Sequence, residues 1–88
     1  MNKLRADKTK DKHYLTLEDW TDHEVRSPFV VSIFLPIRAD FGRRFAFGFD
    51  TVESATKCFD ALLIGTSKPR DYIYRLTDKS LFTTLQAL

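Results

Sequence analysis

The sequence predicts an α+β fold: a small antiparallel sheet of three to four strands packed on one main helix, with a short C-terminal helix as a further element. Three observations carry that reading. Phe29–Arg38 alternates so that one side is wholly apolar, with Phe29, Val31, Ile33, Leu35 and Ile37, as a half-buried strand requires. Arg43–Phe49 alternates in the same way, and Ala39-Asp40-Phe41-Gly42 supplies the turn that makes the two runs a hairpin. From Val52 the apolar spacing lengthens to that of a helix, through Ala55, Cys58 or Phe59, Leu62 and Leu63.

Taken in order, residues 1–12 are polar and without periodicity, which predicts a flexible basic arm preceding a single α+β domain over 13–88. His13–Glu18 alternates and reads as a short strand. Asp19–Pro28 is a charged connection that ends on the turn-like pair Ser27-Pro28. In the strand that follows, Pro36 has no N–H to donate, which places it at an edge or a strand end.

The next strand divides into Arg43, Phe45, Phe47 and Phe49 on one side and Arg44, Ala46 and Gly48 on the other. The aromatic set is expected to face inward. Asp50-Thr51 offers helix-capping oxygens, with Glu53 in the first turn. Gly65 ends the helix, because it tolerates the left-handed conformation that helix ends often need. Ser67-Lys68-Pro69-Arg70 is a basic loop, and Asp71–Thr77 reads as another strand. Ser80–Leu88, with Leu81, Leu85 and Leu88 on one side, reads as the terminal helix.

At 88 residues this is one domain, and a 43% hydrophobic content with eight Phe suffices for a core. The single cysteine, Cys58, excludes an intramolecular disulfide and fits a reducing compartment, so a cytoplasmic setting, or a nuclear one in a eukaryote, is expected. Phe29–Ile37, interrupted by Ser32 and Pro36, is the longest apolar stretch and is too short to span a bilayer. The first residues lack the apolar run of a signal peptide, and no membrane partner is expected. Net charge is only +2, but it is uneven: residues 1–13 carry five Lys/Arg against two Asp, and 14–28 carry four acids against one Arg.

Catalytic patterns are sparse. His23 lies among Asp19, Asp22 and Glu24, but neighbouring residues on an ordered element point apart, and no second cluster completes a metal site. Cys58 falls on the apolar stripe of the helix, where a thiol is structural. Gly42, Gly48 and Gly65 are too scattered to cradle a phosphate. The expectation is a non-enzymatic protein without metal or cofactor.

Two binding readings remain open. In the first, the sheet side away from the helix presents Phe34, Arg38 and Arg44 with Ser32, and the small Ala46 and Gly48 admit a close backbone. Arg43, the loop residues Lys68 and Arg70, and Arg75 extend the basic set. Arginines bind phosphates or guanine and an aromatic stacks on bases, while Lys3, Arg5, Lys8, Lys10 and Lys12 add phosphate contacts. In the second reading the partner is a protein, occluded in the manner of small viral or mobile-element inhibitors. It would be met by a strand edge, by the acidic turn with Asp19, Asp22 and Glu24, or by a patch around Trp20. The chain would be a monomer or a homodimer.

The stretch from Gly42 to Asp60 also resembles the strand-to-helix segment of plant ethylene-response-factor type DNA-binding domains, and is similar to the arm-binding domains of tyrosine recombinases. Phe49, Asp50, Thr51, Glu53, Ala55, Phe59 and Asp60 fill the places that mark this junction. The resemblance implies a three-stranded antiparallel sheet on one helix, with Arg38, Arg43 and Arg44 directed into the DNA major groove. The chain differs from the plant pattern in lacking its strand tryptophans and Arg-rich first strand, and in carrying Phe34 and Pro36 where polar contact residues stand.

Overall fold

A computed structural model of the chain describes residues 1–38, 41–77 and 83–85. Four strands, β1 (Asn2–Lys8), β2 (Tyr14–Asp19), β3 (Phe29–Arg38) and β4 (Phe41–Phe49), form an antiparallel meander, followed by helix α1 (Val52–Ile64). A 3-10 turn over Pro69–Arg75 and a three-residue strand, β5 (Thr83–Leu85), complete the described elements. The sheet order is β1-β2-β3-β4-β5, all antiparallel. This is the expected α+β class.

The alternation does what the sequence requires of it. Leu15, Leu17, Val31, Ile33, Phe47 and Phe49 point to one side and pack on Ala55, Cys58, Phe59 and Leu62 of α1. Each such large side chain fully removed from water contributes about 1.5–3 kcal/mol, so this layer dominates the stability of the fold. The helix begins where Thr51 Oγ1 accepts the Ser54 N–H at 3.2 Å. It ends at Gly65, whose φ of 94° lets its N–H reach Ala61 O at 3.0 Å. Pro36 lies beyond the part of β3 that pairs with β2, and the ladder to β4 slips between Pro36 and Arg38, as a residue without an N–H demands.

Three local expectations are corrected. Residues 2–8 are not a flexible arm: they form β1, paired with β2 from Lys8↔Tyr14 to Asn2↔Asp19 with a bulge between Lys3 and Arg5. The reason is amphipathic use of long cations. Arg5 lies 4.2 Å over the Phe59 ring and donates to Asp60 Oδ1 at 2.8 Å, covering the core edge with a residue that reads as solvated.

Residues 71–77 are not a regular strand either. Pro69 fixes the first position of a 3-10 turn, and Asp71 Oδ2 accepts the Lys68 N–H at 2.8 Å. The turn thus seats Tyr72 beside Phe47 and Phe49, and the isolated bridge Phe47↔Leu76, with Thr77 N donating to Ala46 O at 2.9 Å, follows. Finally, of the helix expected over 80–88, residues 83–85 pair with β4 as a strand; the rest of that segment lies outside the described residues.

Candidate nucleic-acid interface

The face of the sheet opposite α1 is organised in cross-strand rows, because paired residues in an antiparallel ladder project to the same side. The first row runs Lys8↔Tyr14↔Phe34↔Arg44 from β1 to β4. At about 4.8 Å per strand it spans roughly 14 Å. Two aromatics occupy its middle and a cation each end. The second row, Ala6↔Thr16↔Ser32↔Ala46, is small throughout. The third, Lys3↔Glu18↔Val30↔Gly48, is partly roofed: a Cβ added at Gly48 would meet Ser27 Cβ at 2.9 Å and Thr77 Cγ2 at 3.3 Å.

The polar groups on this face are tied together. Glu18 is 3% exposed, yet its Oε1 accepts from Trp20 Nε1 at 3.2 Å and from Arg44 Nη2 at 3.3 Å. The same Arg44 nitrogen donates to Ser32 Oγ at 3.1 Å. To reach β2 from β4, Arg44 lies down diagonally across Ser32, which helps to bury that residue although it lies on the outer face; Ala46 beside it is buried as well, whereas Thr16 is partly exposed and Ala6 exposed. A carboxylate this deep is stable only when paired and hydrogen-bonded, so Glu18 fixes the guanidinium against the sheet.

The aromatics are available. Tyr14 is 49% exposed, with Lys8 Nζ 4.8 Å from its ring centroid. Phe34 is half-buried, and its ring tip leans over Gly42, where an added Cβ would come within 2.8 Å of it. The missing side chain at Gly42 is what lets that ring lie along the sheet.

No protein-family model, curated protein or solved structure matches this chain.

Of the residues singled out for nucleic-acid contact, the fold brings Phe34 and Arg44 together and disperses the rest. Arg43, adjacent to Arg44 in a strand, falls on the opposite side of β4, 6.0 Å from the Phe45 ring centroid. Lys68 and Arg70 border an apolar recess with Leu35, Phe45 and Ile73 on the helix side. Arg75 stacks 4.7 Å over Phe49 and 5.3 Å over Tyr74, donating to Gly48 O at 3.3 Å. Arg38 ends β3 opposite Phe41, and its side chain lies outside the described residues. Two members of the row, Lys8 and Tyr14, were not marked as partners of Phe34 and Arg44 by sequence. Only the β1–β2–β3 register reveals them.

The acidic turn has its own internal bonding. Asp19 Oδ1 accepts the Thr21 N–H at 2.8 Å, and hydrogen bonding from the Thr21 side chain, then from its backbone, lowers the Asp19 pKa. Asp22 accepts the Met1 amine and His23 Nδ1, which together pull its pKa down to about 2. Trp20 packs on His23 with ring centroids 4.7 Å apart. Among the described residues no group of three or more His, Cys, Asp or Glu is placed to hold a metal ion. Trp20, Glu24 and Val25 form one wall of an open groove of about 920 Å³ whose other wall is Tyr74 to Thr77. No helix among the described residues is long and apolar enough to cross a membrane.

Proposed function

We propose that the chain is a non-enzymatic binding module that takes nucleic acid on the sheet face opposite its helix. The observation that carries this reading is the register that lines up Lys8, Tyr14, Phe34 and Arg44. Cations at the ends of the row supply phosphate contacts, and the aromatic middle supplies π-faces on which bases stack. Lys3, on the same face of β1, adds a further positive charge. Arg44 is held in place before any ligand arrives, so no side-chain ordering is needed there on binding.

The test is anisotropy of labelled oligonucleotides titrated with the full chain at two salt concentrations. Affinity should fall as salt rises, with a log–log slope of about −1.5 to −2 if two to three phosphates of a single strand are neutralised. Absence of binding at low salt would refute the reading.

A second reading draws on the groove between Trp20 and Tyr74. Both residue types are frequent energetic anchors of protein interfaces, and Tyr74 is 74% exposed. Glu24 and Arg75 place opposite charges on the groove walls, a pattern suited to a protein segment. Recovery of a stoichiometric protein complex that is lost on Tyr74→Ala and retained on Tyr14→Ala would favour it.

A further inference from the structure

We infer that the ligand of the Lys8–Tyr14–Phe34–Arg44 row is an unpaired strand, bound by stacking, and not a duplex read through its major groove. This rests on the nucleic-acid reading above and specifies the class of ligand.

Duplex readout through the major groove requires an element that protrudes into a channel about 12 Å wide and 8.5 Å deep, carrying long side chains to base edges. The outer face offers the reverse. Its second row is Ala6, Thr16, Ser32 and Ala46, none of which reaches far from the backbone. Arg44, at the β4 end of the first row, is laid against the sheet by Glu18 and Ser32. At the far end the Ser27 and Thr77 positions roof Gly48, so the surface is a floor with a raised border.

A single strand fits that floor. Its bases are free to leave their own stack and lie on rings, which is how aromatic platforms hold unpaired nucleotides. Phe34 leans over Gly42 and is partly exposed, and Tyr14, one strand away, is half exposed. In the free protein Lys8 Nζ covers the Tyr14 ring at 4.8 Å. A base arriving there displaces the ammonium, which is then free to pair with the adjoining phosphate. The guanidinium of Arg44, which is paired with Phe34 in the ladder and bonded to Glu18 and Ser32, adds a further planar group to the row. Two rings set a footprint of about two stacked bases.

The experiment titrates the full chain into a labelled oligothymidylate and into a duplex of matched length at low salt, alongside Tyr14→Ala and Phe34→Ala. Circular dichroism melting of each variant verifies folding. The single strand should bind at least tenfold more tightly than the duplex. Loss of one stacked base should weaken it roughly five- to hundredfold in either variant. Because Tyr14 is half exposed, its variant is the one that should stay folded if Phe34→Ala does not. Equal affinity for strand and duplex would overturn the inference and leave the nucleic-acid reading standing. Single-strand binding unaffected by a folded Tyr14→Ala would overturn the stacking role. No binding to either probe would refute the reading of the face itself.

Discussion

The two faces of the sheet are cut from the same strands, alternate residue by alternate residue, and are held by different physics. The helix-side face is apolar and is secured by burial: Leu15, Leu17, Val31, Ile33, Phe47 and Phe49 lose nearly all contact with water. The opposite face is built from aromatics, small residues and a buried carboxylate, and is secured by hydrogen bonds that converge on Glu18 and Arg44. Burial is non-directional and tolerates many side chains of the right size. A bonded network fixes particular atoms. The first is suited to holding a fold and the second to presenting a surface.

Truncation should separate the faces most sharply. Phe47→Ala empties the centre of the core and should cost about 3–5 kcal/mol, seen as a large drop in the denaturant midpoint at unchanged slope. Tyr14→Ala, on the other face, should stay within about 0.5 kcal/mol. Comparable losses at the two positions would break the distinction.

The network itself is the next largest effect. Arg44→Ala leaves the buried Glu18 carboxylate with the Trp20 donor but without its counter-charge and should cost about 1–3 kcal/mol, moderated because the Arg44 side chain is 40% exposed. In a double-mutant cycle with Glu18→Gln, the second change should recover part of that loss. Strict additivity would mean that the two do not act together.

A smaller, pH-dependent effect belongs to the core. Burial pushes the Cys58 thiol up from 9.0 to about 12, and desolvation raises the Tyr72 phenol as well. Unfolding frees the thiol to ionise at its ordinary value, so its contribution is complete below pH 9 and declines as pH climbs from 9 toward 12. Midpoints measured across that range should fall, and less steeply in Cys58→Ala. Alkylating reagents should leave the native thiol untouched at pH 8. Rapid labelling there would contradict its burial.

The helix-side face was legible in the sequence because its signal is periodic. Phe29, Val31, Ile33, Leu35 and the alternate phenylalanines 45, 47 and 49 mark one side, and Thr51 and Gly65 bound the helix. The other face was legible only in part. Phe34 and Arg44 stood out, but their neighbours depend on register between strands far apart in the chain, which periodicity does not encode.

β1 was hidden for a different reason. Its side chains are polar by composition, and they work by laying alkyl stems and guanidinium over Phe59 and Tyr14. The turn at Pro69–Arg75 escaped because the residues Asp71 to Thr77 fit alternation as well as the threefold spacing they adopt. Pro69 and the Asp71 cap were the only local signs of that choice. Alternation along β4 already puts Arg43 and Arg44 on opposite sides, and only the resemblance directs both toward one groove.

In the proposed function, the face opposite α1 meets the ligand through the row Lys8–Tyr14–Phe34–Arg44. The most direct test is a titration of short single-stranded DNA into the ¹⁵N-labelled full chain, followed by amide shifts. The account predicts saturable shifts centred on Lys8, Tyr14, Phe34 and Arg44, with α1 unmoved. Shifts confined to the Trp20–Tyr74 groove, or no shifts at saturating oligonucleotide, would contradict it.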